Sequence, residues 1–143
     1  MPLPDYAPEV ADVGDLLRAR TKDVNGSETG TFTADTRPTD DAVEAMIEQA
    51  LSTVTASAND DVPERLYPLA RHCAALRCAM LVELTYWPEQ VQRENSPYAH
   101  YRELYTDAML GFTRALDDSG NRRGRGPLSV VCTTTIENPD PDA

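Results

Sequence analysis

The side chains able to do chemistry in this chain are few and scattered. The histidines are His72 and His100, and the cysteines are Cys73, Cys78 and Cys132. A nucleophilic pair needs a Ser or Cys beside an imidazole, and nothing in the spacing brings either histidine to a partner. His72 adjoins Cys73 in sequence, but successive residues on a helix point about 100° apart. Cys73 and Cys78, five positions apart, face different directions on a helix and cannot share a tetrahedral metal site without further ligands. An odd number of thiols leaves at least one unpaired, so the cysteines read as reduced. Carboxylates are abundant, and a pair such as Glu83 and Glu103 could approach. Acid–base work needs perturbed groups in a pocket, however, and the pattern reads as solvated faces. Gly120, Gly124 and Gly126 lack the preceding strand and following helix of a phosphate loop. The sequence therefore predicts no catalytic residues, no metal site and no cofactor.

Composition narrows the classes further. With 13 basic and 24 acidic residues the chain carries a net charge of −11, which opposes a surface that holds nucleic acid by its phosphates. Solubility alone accounts for such a charge. At 143 residues the length suits a single domain. No run approaches the roughly 20 apolar residues of a membrane span, and Met-Pro-Leu-Pro-Asp-Tyr lacks the basic flank and apolar core of a secretory signal. Synthesis in the cytosol is expected.

The elements that position these residues read as all-α: a small bundle of about four helices, a long loop after the first, and an extended carboxy-terminal arm. Pro8 suits the first position of helix one, which carries Val10, Val13, Leu16 and Leu17 up to Arg20, with Gly14 a mild penalty. Residues 21–38 lose the pattern and read as a long loop with a short hairpin at Asn25-Gly26. Loops of this length often bind something. Thr39 or Asp40 caps helix two, whose stripe runs through Val43, Met46, Ile47, Ala50, Leu51 and Val54 to a polar break near Ser57. Helix three starts at Pro63 or nearer Pro68, and its Leu69, Cys73, Leu76, Met80, Leu84 and Trp87 make it the expected core helix, ended by Pro88. Ser96-Pro97 opens helix four, in which Tyr98, Tyr101, Tyr105, Ala108, Met109, Phe112 and Leu116 share a side until Gly120. An aromatic row of this kind is packing rather than a base-stacking platform, since no basic surface accompanies it. The chain thus divides into a helical domain, 1–120, and an arm, 121–143, whose β-prone Leu128–Ile136 run could add a strand to another protein's sheet.

Several of these stretches resemble the head-to-tail adaptor proteins of tailed bacteriophages, of the siphophage type that infects actinobacteria. They are Val10-Ala11-Asp12-Val13, Leu16-Leu17-Arg18-Ala19-Arg20, Gly30-Thr31-Phe32, Asp35-Thr36-Arg37-Pro38-Thr39 leading into Val43 and Ile47, Leu76 to Met80, and Glu83-Leu84-Thr85-Tyr86-Trp87-Pro88-Glu89-Gln90. The resemblance covers about the first two thirds of the chain. It implies a structural virion protein, made in the host cytoplasm, that forms a homo-oligomeric ring, usually dodecameric, in the neck at the head–tail interface. Its partners would be the portal protein on one side and a stopper or tail terminator on the other, with DNA passing through the lumen. By the same resemblance Arg122, Arg123, Arg125, Leu128, Val130 and Val131 would dock on the portal, and Phe32, Thr33, Arg37, Tyr98, Tyr101 and Tyr105 would meet a ring neighbour or neck protein. A negative lumen would repel phosphate and let DNA slide.

Three other classes fit parts of the pattern. A small terminase subunit is also helical and ring-forming but needs a basic recognition helix. A stopper would be richer in strands. An acidic helical regulatory protein or DNA mimic needs no extended arm.

Overall fold

The computed structural model describes residues 2–120. The arm 121–143, with the candidate portal-docking residues Arg122, Arg123, Arg125, Leu128, Val130 and Val131, lies outside the described residues. Those described are mostly helical: α1 Val10–Leu16, α2 Asp40–Ser57, α3 Tyr67–Tyr86, the short α4 Pro88–Val91 and α5 Pro97–Gly120, with single 3-10 turns at Arg18–Arg20 and Glu64–Leu66. Among the described residues the sole β feature is an isolated antiparallel bridge between Lys22 and Glu28.

The central element is α3. It packs against α2 on one side and α5 on the other, while α1 closes over α2 and α3. The sequence explains this position, because α3 is small and apolar around most of its circumference. Ala70, Cys73, Ala74, Leu76, Cys78, Ala79 and Val82 are all fully buried, and short side chains let helices approach closely on several sides. Against it α2 presents the expected stripe of Val43, Ile47, Ala50, Leu51 and Val54. Phe112 is the fully buried anchor of α5.

The helix boundaries follow local chemistry. The Thr39 hydroxyl accepts from the Ala42 N–H to cap α2, and the Ser96 hydroxyl accepts from Ala99 to cap α5, each satisfying a donor the helix cannot. Of the two starts left open for α3, the later is found. Residues 64–66 form a 3-10 turn, so Pro68 falls in the first helical turn, where its missing N–H costs no bond. Helix one is shorter than its periodicity predicts. Glu9 rather than Pro8 precedes the helix, in a reciprocal capping pair with Asp12, and the α-helix tightens into a 3-10 turn after Leu17.

Two expectations about α3 need correction. Leu84, placed in the core stripe, is 46% exposed, whereas Glu83, read as part of a solvated face, is 1% exposed. The switch puts a carboxylate inside the bundle, where it must have a partner.

Candidate functional site

That partner is Arg20. Its Nε donates to Glu83 Oε2 at 2.8 Å and its Nη2 to Glu83 Oε1 at 2.7 Å, a planar two-point contact, and Nη2 also donates to Gln90 Oε1 at 2.9 Å. The guanidinium carbon lies 4.0 Å from the centre of the Trp87 ring. Stacking of this kind suits arginine because its plane is weakly hydrated and still offers its edge to a carboxylate. The 3-10 turn after α1 aims Arg20 inward, the last turn of α3 supplies Glu83, and Trp87 and Gln90 come from the α3–α4 corner. From α5 the Tyr101 hydroxyl donates to the Leu16 carbonyl at 2.6 Å. Burial and the neighbouring Glu83 charge raise the Tyr101 phenol above its ordinary range, with Arg20 opposing. Four elements are therefore tied together at one polar node. Both carboxylate oxygens of Glu83 are engaged by Arg20, so the node joins elements instead of presenting a free base.

The loop 21–38 is ordered by its own threonines and glycines. Thr21 is fully buried; its hydroxyl donates to the Arg18 carbonyl and accepts from the Gly30 N–H. Gly14 of α1 lies under this loop: a Cβ there would stand 3.1 Å from Thr31 Cα and 3.2 Å from the Gly30 oxygen. The helix penalty of glycine is thus exchanged for close approach of two backbones. Thr36, also buried, accepts from the Thr33 N–H and lies 2.7 Å from the Pro38 carbonyl oxygen. The Arg37–Pro38 bond is cis. Between its anchors the loop projects the expected hairpin. Asp23 Oδ1 accepts from the N–H groups of Asn25 and Ser27, the Asp23 N–H donates to Ser27 O and Gly26 N–H to Asp23 O. Gly26 supplies the required left-handed backbone at φ 79°. At the tip Val24 is 86% exposed.

A second surface is formed by the N-terminal segment lying across α2. Tyr6 pins it: the ring is buried, packs tilted on Tyr67 at 5.3 Å, and its hydroxyl pairs with Thr55 at 2.7 Å. Arg71 adds a hydrogen bond to the Asp5 carbonyl. Beside this segment runs an open cleft of about 530 Å³ with an apolar floor that includes Leu3, Ala7, Val10 and Ile47, and with Glu44 and Glu48 on its α2 side.

The residues expected at interfaces fare unequally. Phe32 is 3% exposed and belongs to the protomer's own core, a correction that follows from the loop folding back onto α1. Tyr101 is committed to the Leu16 carbonyl. Thr33 is half-buried and caps a turn through the Asp35 N–H. Arg37 is exposed over Tyr86. Tyr98 and Tyr105 remain half-exposed, flanked by Arg102 and Arg77 respectively. His72 and His100 are both exposed. Burial raises Cys73 to about 11 and Cys78 to about 12, so both thiols stay protonated and unreactive at neutral pH.

The Arg20 node is not evident from local sequence, because its parts lie in two separate motifs, Leu16-Leu17-Arg18-Ala19-Arg20 and the Glu83–Gln90 stretch, that only the fold brings together. The usable signal was a lone glutamate in an otherwise apolar helix face. No protein-family model, curated protein or solved structure matches the chain.

Proposed function

We propose that the chain is a head-to-tail adaptor, a structural subunit that forms a ring beneath the portal, joins capsid to tail and leaves a passage for DNA. The observation that carries this reading is the convergence of two of the resembling stretches, Leu16–Arg20 and Glu83–Gln90, at Arg20, Glu83, Trp87 and Gln90. Residues that matter to one fold should cooperate within it, and these do. The helical architecture favours an adaptor over the strand-rich stopper. The acidic charge favours it over a small terminase subunit, which works by holding DNA.

In this reading the helices are scaffold and the work is done by surfaces. The protein joins others through apolar and charged patches, and repulsion between acidic copies is screened beyond about 10 Å at physiological salt. The isolated chain is a monomer or small oligomer, and the portal templates the ring. The arm's Arg122, Arg123 and Arg125, with Leu128, Val130 and Val131, are the proposed portal-docking residues. Arg37, Thr33, Tyr98 and Tyr105 are the remaining candidates for contacts with neighbours.

The test mixes purified portal with the full chain and with a chain ended at Gly120. Co-sedimentation of the full chain and loss of binding on truncation is the expected result. Equal binding by both removes the docking role of the arm, and no binding by either removes the adaptor reading.

A further inference from the structure

We propose that the carboxy-terminal arm folds back along α5 of its own chain. Residues 128–136 cover the apolar flank that α5 and the end of α3 leave open, and the acidic residues beyond them lie beside Arg77 and Arg102.

Spacing sets the flank. Tyr98, Tyr105, Met109 and Leu116 recur at intervals of seven, four and seven, so they stand within about 40° of one another around α5. Tyr98 and Tyr105 are half-exposed, and Met109 and Leu116 are only partly buried against the core. Helix α3 runs antiparallel beside them, with Arg65 at its foot bonded to Ser119 and Arg77 over Tyr105. The same register sets Leu84 level with Tyr98, on the Arg77 side of α3 because seven positions is two turns. Leu84 is exposed. Single exposed apolar residues are ordinary, whereas a row continuous over two helices marks a contact surface.

Charge names the occupant. Arg77 and Arg102 lie over Tyr105 and Tyr98 and make no ion pair among the described residues. No carboxylate of either helix shares their end of the flank. Glu83, the one acidic residue of α3, is taken by Arg20, and Glu103 and Asp107 stand about 140° and 180° around α5 from Tyr98. Arg93 and Glu94, in the turn before α5, balance each other. At the opposite end of α5, Asp117 and Asp118 are both exposed. The arm carries the reverse order, with Arg122, Arg123 and Arg125 at its root and Glu137, Asp140 and Asp142 beyond Ile136. Laid antiparallel to α5, each cluster meets its opposite.

The lengths agree as well. Leu116 to Tyr98 spans about 27 Å of helix, and the nine residues 128–136 span about 30 Å when extended. Gly124, Gly126 and Pro127 suit the reversal that must precede them. An extended chain alternates its sides, which puts Leu128, Val130, Cys132 and Ile136 together on one face. Because the arm continues directly from Gly120, the last residue of α5, its tether gives it a local concentration that a separate partner lacks. If the chain is an adaptor, transfer of the arm to the portal uncovers Tyr98 and Tyr105 for a ring neighbour; the fold-back itself does not rest on that reading.

The test uses the full chain without portal, so its failure leaves the adaptor reading standing. A nitroxide is placed on Thr133→Cys in a Cys132→Ser chain, where Cys73 and Cys78 are buried and stay unlabelled. Amide relaxation should be enhanced most at residues 103–112 and at Arg77. A mixture of isotope-labelled chain without nitroxide and unlabelled chain bearing it should show no enhancement. Arg102→Glu, and separately Glu137→Arg with Asp140→Arg, should each lower the effect at Met109 about threefold, as exposed ion pairs do. Combining them should recover it. Absence of enhancement along α5, a maximum on α2 or the N-terminal segment, equal enhancement in the mixture, or a combined chain no better than either variant would overturn the proposal.

Discussion

Arg20 and Glu83, separated by 63 positions in sequence, meet through two parallel hydrogen bonds of 2.8 and 2.7 Å at the junction of α1, α3 and α4. Glu83 is 1% exposed and the Arg20 side chain 19%. Truncating one partner leaves the other charge desolvated, whereas replacing both with apolar groups removes the demand. Glu83→Gln should therefore cost about 2–4 kcal/mol, below the upper end for a fully buried pair because Arg20 keeps some water. Arg20→Met with Glu83→Leu should cost less than either single change. Urea denaturation of the full cycle measures the coupling, and additive effects would show that the pair contributes packing alone.

Gly14→Ala separates propensity from packing. Alanine is about 1 kcal/mol better in a helix, so an unconstrained site would gain stability. Here the new methyl meets backbone at 3.1 and 3.2 Å, and overpacking costs about 1–3 kcal/mol. A net loss of about 1 kcal/mol is expected in thermal or urea unfolding, together with faster hydrogen exchange at Thr29 and Gly30.

Tyr101→Phe removes the hydroxyl that the Leu16 carbonyl accepts at 2.6 Å. That carbonyl belongs to the last turn of α1, which has no intrahelical donor to offer it. A loss of about 1–2 kcal/mol should follow, with the ring's packing preserved, as amide exchange and near-ultraviolet dichroism can report.

Alkaline conditions should unfold the chain earlier than its carboxylates suggest. Burial raises Cys73 to about 11 and Cys78 to about 12, and raises the Tyr101 and Tyr105 phenols. Each group binds its proton more tightly folded than unfolded, so its contribution is complete below the unfolded pKa and disappears as pH rises through the folded one. Stability should fall from about pH 9, the ordinary thiol value, toward pH 12. In a Cys132→Ser chain at pH 8, a thiol reagent should label neither remaining cysteine until denaturant is added. Rapid native labelling would contradict the buried positions.

The fold was legible in the sequence where periodicity and capping agree. The α2 stripe, the Ser96-Pro97 start of α5 and the Asn25-Gly26 hairpin each follow from local rules. Phe32 did not, because its burial depends on Gly14 allowing the loop to lie on α1, a contact of distant segments. Glu83 and Leu84 exchange roles for a similar reason: the apolar stripe of α3 is wide enough that spacing alone leaves its edge undetermined, and a bidentate arginine sets it. Tyr98, Tyr101 and Tyr105 share a face by spacing, but only a tertiary contact singles out Tyr101.

Cryo-electron microscopy of portal mixed with the full chain tests the adaptor reading most directly. The expected result is a closed ring of this chain stacked on one end of the portal, its helical bundles surrounding an open channel. Portal particles bare at both ends, with the chain left free in solution at saturating concentration, would contradict it.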